Sequence, residues 1–170
     1  MKQALYLILV FGLVPIQTTV LTYAGIGGVR PDLCLVAAIL VGFFAGELDG
    51  LLVGLALGFV QDLFSAGELG LNLVAKGCAG FLAGIAGRYV TNTTPITVLA
   101  TVFGLSLLSG TVFLLTVGAG GLKGVSLAIW SVLLPQAVWD AVLGGGGYWL
   151  VARHFRREQA ILEGPTGWDR

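Results

Sequence analysis

Four polar side chains sit in otherwise apolar stretches and could carry chemistry: Asp62, Lys76, Gln136 and Asp140. A charge kept at membrane depth is costly, so it is usually paired or functional. Asp62 and Lys76 flank one short polar turn, at the adjoining ends of two apolar runs, so their depths match and they can pair. Asp140 follows Gln136 by one helical turn and lies near the middle of the last apolar run, where it could share Lys76. The blander alternative leaves Asp62 at a water-exposed helix end and lets Lys76 snorkel to the surface. Asp140 is too deep for that alternative. A proton relay needs a chain of such groups, and three separated charges do not form one. No nucleophile–base set is visible, and Gly25-Ile26-Gly27-Gly28 is too short for a phosphate loop and lacks the Lys-Ser/Thr pair. Cys34 and Cys78 lie in apolar runs without metal-ligand spacing and read as small apolar residues. His154 stands among arginines with no ligand partner nearby in sequence. The expectation is a protein without catalytic residues, metal or cofactor.

The most regular pattern is a ladder of glycines four apart: Gly42, Gly46, Gly50, Gly54 and Gly58. Residues four apart share a helix face, and small residues there let backbones approach closely. Glu47 and Asp49 mark a polar turn that interrupts the ladder, so Gly50, Gly54 and Gly58 form one strip. Gly80 and Gly84, with Ala79, Ala83 and Gly87, form a second small face. The two strips either pack against each other or receive a partner's membrane helix. Gly144 to Gly147 form a run that should weaken a helix. It reads either as a hinge or as a point of very close packing.

These residues need apolar elements to hold them, and the composition supplies little else. The 170-residue chain is 56% hydrophobic and 11% charged, against about 25% charged for a soluble domain. Its mean hydropathy is +0.95, so most of its surface faces an apolar medium. The formal net charge is zero, which disfavours a nucleic-acid partner. The 27 glycines lie among Leu, Val, Ala and Phe rather than in a linker.

Six apolar runs follow: about Ala4–Ala24, Leu33–Ala45, Leu51–Phe64, Leu71–Tyr89, Ile96–Val117 and Ser126–Val151. The first is long enough to cross a roughly 30 Å core and reads as a span rather than a signal peptide, with Pro15 bending it. The second and third are short and either thin the bilayer or lie inside the bundle. Arg30-Pro31-Asp32 starts the second run, and Asn92-Thr93-Thr94-Pro95 starts the fifth with a cap and a helix-initiating proline. Pro135 lies inside the sixth. Ser65–Gly70 and Gly118–Gly124 are short loops, so residues 1–152 form one six-helix domain and 153–170 a basic tail. Arg153, Arg156 and Arg157 place that tail in the cytoplasm. Six spans return Lys2 to the same side with Arg88, and leave Arg30 and Lys123 outside. Tyr148 and Trp149 suit an interfacial position.

The stretch Gly54-Leu55-Ala56-Leu57-Gly58-Phe59-Val60-Gln61-Asp62-Leu63, followed by Leu69-Gly70-Leu71-Asn72, resembles the core signature of the rod shape-determining protein MreD family. Pro31-Asp32-Leu33 and the layout of nearly the whole chain match as well. On this resemblance, Gly54, Gly58, Asp62 and Gly70 are signature positions, whereas Lys76 and Gly144–Gly147 are not. The resemblance implies a six-helix fold similar to the substrate-binding components of energy-coupling-factor vitamin transporters. It also implies a non-enzymatic scaffold of the bacterial inner membrane, supporting cell shape and lateral peptidoglycan synthesis. Its partners would be MreC, and directly or indirectly MreB, RodA and a penicillin-binding transpeptidase. A vitamin-binding role is the alternative, although Arg30, Asp32, Glu68, Asn72 and Lys123 are a thin polar inventory for it.

Overall fold

The computed structural model describes the backbone of residues 6, 11–17, 19, 29–64, 70–90, 93–117 and 126–162, and side chains as far as 150. Within these, six helical segments follow in chain order: α1 (residues 11–17), α2 (Leu33–Ala45), α3 (Glu47–Phe64), α4 (Leu71–Tyr89), α5 (Pro95–Val117) and α6 (Leu134–Leu162). A π-helical turn, Ile129–Leu133, leads into α6. The expectations about Lys2, Gly25–Gly28, Asn92, Lys123, the 65–69 and 118–124 loops, and the charged side chains beyond 150 lie outside the described residues.

The break between α2 and α3 is smaller than the Glu47–Asp49 turn expected from the sequence. Only Gly46 leaves helical geometry, at φ +106°, a conformation that favours glycine. Its N–H still bonds the Gly42 carbonyl, so one residue suffices to redirect the chain. Glu47 and Asp49 then occupy the first turn of α3, where acidic side chains suit the positive end of the helix dipole.

The glycines form the seam of α2, α3 and α4. A β-carbon on Gly54 would collide with the Lys76 carbonyl, and one on Gly58 with the Asn72 carbonyl. Gly50 meets Gly80, Gly42 meets Gly80 and Gly84, and Gly84 meets Glu47, all at the backbone. The chain's own helices therefore cover both small-residue strips. Gly70 also stands at φ +103°, where α4 starts.

Two clusters fill the interior. Val14, Cys34, Ala38, Val53 and Leu57 join α1, α2 and α3. Leu35, Val36, Ile39, Phe43, Ala79, Ala83, Val98 and Val102 join α2, α4 and α5. Gly144–Gly147 neither unwinds nor hinges the last helix, because α6 runs through it. Gly144 lies under Val102, Gly145 under Leu99 and Gly147 under Leu40, so three of the four glycines are sites of close approach. The last helix continues to Leu162. Ahead of Pro135, the Leu134 N–H bonds the Ile129 carbonyl, five residues back. Pro135 can donate no N–H and crowds the turn before it, and the wider π turn relieves both problems.

The outward surface is apolar along the helices: Leu52, Val74, Leu115 and Trp130 are 63%, 57%, 60% and 75% exposed. Apolar surface this continuous marks a membrane or partner contact. By length and composition, Pro95–Thr116 and Ser126–Leu150 are long and apolar enough to cross a membrane, and Leu33–Ala45 is apolar but short. α3 and α4 have 18 and 19 residues but carry Glu47, Asp49 and Asp62, and Lys76 and Arg88, respectively.

Candidate functional site: a buried polar network

The α3–α4 corner is organised by Asp62. This carboxylate is 2% exposed. Its Oδ2 accepts the N–H groups of Gly70 (2.9 Å) and Leu73 (3.1 Å), and its Oδ1 accepts the N–H (3.3 Å) and the side-chain Nδ2 (2.8 Å) of Asn72. A helix leaves its first amides unpaired, and a carboxylate there also meets the positive end of the dipole. Asp62 thus caps α4 from the preceding helix.

That role decides the Asp62–Lys76 pairing, which the sequence left open, against the pair. The acceptor positions of Asp62 serve the start of α4, and Lys76 reaches toward α2 instead. Its Nζ lies 2.8 Å from Asp32 Oδ2 and donates to Asn72 Oδ1 at 3.0 Å. Lys76 does not snorkel, since its side chain is 3% exposed. Asp32 is the N-cap of α2. Its Oδ1 accepts the Leu35 N–H (3.0 Å) and the Gln17 Nε2 (2.9 Å), while Gln17 Oε1 accepts the Cys34 N–H (2.8 Å).

Asp140 is fully buried and joins this cluster through Asp32 rather than by sharing Lys76. Its Oδ1 accepts the Asp32 N–H at 2.8 Å, and its Oδ2 accepts the Ser106 hydroxyl at 2.6 Å. Gln136 stands one turn earlier on α6, half-buried. A continuous hydrogen-bonded chain therefore runs Gln17–Asp32–Lys76–Asn72–Asp62, with a branch from Asp32 through Asp140 to Ser106. It touches all six helical segments. The sequence reading found separate charges where the structure has one network.

The missed members are Gln17, Asp32, Asn72 and Ser106. Asp32 had a signal: an acidic residue between Pro31 and the first apolar residue of a helix is an N-cap pattern. Asn72 is the second residue of α4, whose N-cap position Gly70 holds. Gln17 and Ser106 carry only the weaker signal of a lone polar residue in an apolar run.

The network's polar atoms bond one another, which suits holding helices more than turning over a substrate. Among the described residues no group of three His, Cys, Asp or Glu is placed to hold a metal ion. The far end of α3 and α4 carries a different kind of pair. Arg88 Nη2 lies 2.5 Å from Glu47 Oε1, with side chains 64% and 24% exposed. A surface pair of this kind is worth about 0–1 kcal/mol.

The family model for the rod shape-determining protein MreD matches residues 2–156. Neither a curated protein nor a solved structure matches the chain.

Proposed function

This chain belongs to the rod shape-determining protein MreD family, and from that premise we propose that it acts without catalysis, as a multi-pass scaffold of the bacterial inner membrane. Family membership carries a role in rod shape determination. The finer reading is that the protein holds MreC, and through it MreB, RodA and a penicillin-binding transpeptidase, at sites of lateral peptidoglycan synthesis.

The observation that supports a scaffold most directly is the internal use of the polar groups. A ligand site needs convergent polar atoms facing a pocket. Here Asp32, Asp62, Lys76, Asn72, Asp140 and Ser106 face one another. The vitamin-binding alternative gains nothing from that arrangement. The glycine strips are likewise spent on internal packing, so a partner would meet the outward apolar faces.

Co-purification from native membranes tests the reading. A tagged chain should retain MreC, and chain-depleted cells should lose rod shape. Retention of no elongation protein, or a co-purified vitamin, would overturn it. Reporter fusions at the two ends test the topology, with both expected in the cytoplasm.

A further inference from the structure

Packing between α4 and α5 is uneven. Toward the end of the bundle carrying Arg88, Val98 and Val102 of α5 share a core with Ala79 and Ala83 of α4, and Leu105 packs against it. Beyond Leu105 an apolar groove of about 550 Å³ separates the two helices. It runs from Leu82 to Gly70 on α4 and from Leu105 to Thr116 on α5. The shared core closes it at the Leu105 end. Its lips are exposed, with Val74 on one side and Leu108 and Val112 on the other. Ser109 and Thr116 bring the only hydroxyls to the lining, and the Thr116 hydroxyl donates to the Val112 carbonyl of its own helix.

The dimensions decide what fits. From Gly70 to Leu82, or from Leu105 to Thr116, a helix rises about 16–18 Å. That is close to one leaflet, half of a hydrocarbon core of roughly 30 Å. Leu105 also stands at the middle of the Pro95–Thr116 span, so the groove occupies one leaflet's half of α5. Spread over that length, 550 Å³ gives a mean width of about 6 Å, too narrow for a helix, which is about 10–12 Å across with its side chains. Water finds too few polar partners in so apolar a lining. Left empty, the groove would forfeit dispersion contacts along both walls. A hydrocarbon chain is narrow enough to enter, and between two walls it gains contacts on both sides where a convex helix face offers one.

We propose that the α4–α5 groove is a binding site for one acyl chain of a membrane phospholipid. The chain enters at the Gly70–Thr116 end, where the headgroup stays at the interface, and stops at Leu82 and Leu105 near the middle of the bilayer. On the topology proposed above, the lipid belongs to the outer leaflet. The site selects the chain by width and length and makes no demand on the headgroup. It rests on the protein's residence in a bilayer and is independent of which partner the protein holds.

The test reconstitutes full-length protein in vesicles of dioleoyl phosphatidylethanolamine and dioleoyl phosphatidylglycerol, extracts it in mild detergent and counts retained lipid by native mass spectrometry. One phospholipid per chain is expected. Cys78→Phe and, separately, Val112→Trp put larger side chains into the groove from exposed positions on opposite walls. Each should lower the retained fraction about fivefold or more by overfilling the site. Leu52→Trp, on the exposed face of α3, should leave retention unchanged. The unaltered protein gives a second readout, because Cys78 lines the groove while Cys34 is buried. Stripping the lipid with a harsher detergent should speed maleimide labelling of Cys78 several-fold. No retained lipid, equal retention by the folded groove variants and Leu52→Trp, or unchanged Cys78 labelling would overturn the proposal. So would a Cys78–Cys78 dimer formed by copper phenanthroline in the vesicles, which would put a second copy in the groove. A chain that does not enter the vesicles would overturn the membrane reading, and this site with it.

Discussion

Lys76→Met removes the ammonium while keeping most of the side chain's bulk, and it isolates the worth of the buried pair. Lys76 and Asp32 are 3% and 16% exposed, so the small figures for surface pairs do not apply. Removing one partner of a buried pair costs about 3–5 kcal/mol, because the other charge stays behind uncompensated. Asp32 would also keep a charge among Leu35, Cys34 and the Asp140 carboxylate. For a chain of this size each kcal/mol moves the unfolding midpoint by roughly 2–4 °C, so a drop of about 10 °C is expected. Heating the detergent-solubilised protein while following its four tryptophans measures it. The double variant Asp32→Asn with Lys76→Met removes both charges. The amide at 32 can still accept from Leu35 and Gln17, so the double variant should recover about 2 kcal/mol relative to the sum of the single changes. A Lys76→Met shift under 2 °C, or strictly additive losses, would refute the assignment of Lys76 to Asp32.

Other positions separate packing, capping and propensity. Gly54→Ala drives a methyl into the Lys76 carbonyl and should lower stability by about 3 kcal/mol or more, beyond ordinary overpacking; the yield of monodisperse protein on size exclusion reports it. Gly146→Ala meets nothing within 4 Å and should be neutral or stabilise by up to about 1 kcal/mol, whereas Gly144→Ala, pressed against Val102, should destabilise in the same melting assay. Asp62→Ala uncaps α4 and should cost about 1–2 kcal/mol, with faster hydrogen exchange at the Gly70, Asn72 and Leu73 amides. Glu47→Gln breaks only the exposed pair with Arg88 and should change the midpoint by less than about 3 °C.

Much of this was legible in the sequence because periodicity and breakers act locally. The bounds of α2 and α4 follow from Pro31-Asp32 and Gly70, and the spacing of Gly50, Gly54 and Gly58 marks a face that must meet another backbone. What stayed hidden depends on three-dimensional neighbours. Whether Lys76 turns to Asp62 or to Asp32 depends on how far α2 is sunk beside α4, which no local pattern encodes. The Glu47–Asp49 turn was misplaced for the opposite reason. Charges suggested a loop, but acidic residues are equally at home in a helix's first turn, and Gly46 alone makes the break.

The depth of α2 also accounts for the network itself. Its 13 residues span about 20 Å, well short of a hydrocarbon core of roughly 30 Å. If one end of α2 reaches an interface, the other lies where water is absent and every open backbone amide must find an acceptor within the protein. The bonds follow that need: Leu35 N–H to Asp32, Cys34 N–H to Gln17 and Asp32 N–H to Asp140. Asp62 does the same for α4. Carboxylates are strong acceptors for helix N-termini, but each brings a charge, and Lys76 offsets the one on Asp32. The buried charges thus answer a backbone requirement set by short helices. They fix the depth of α2 and α4 against α1 and α6, and so the shape of the outward faces a partner would meet. On this argument Asp140→Asn, which keeps an acceptor for the Asp32 N–H, should preserve that shape and MreC retention. Asp140→Leu removes the acceptor and should lose both, and equal retention by the two variants would sink the argument.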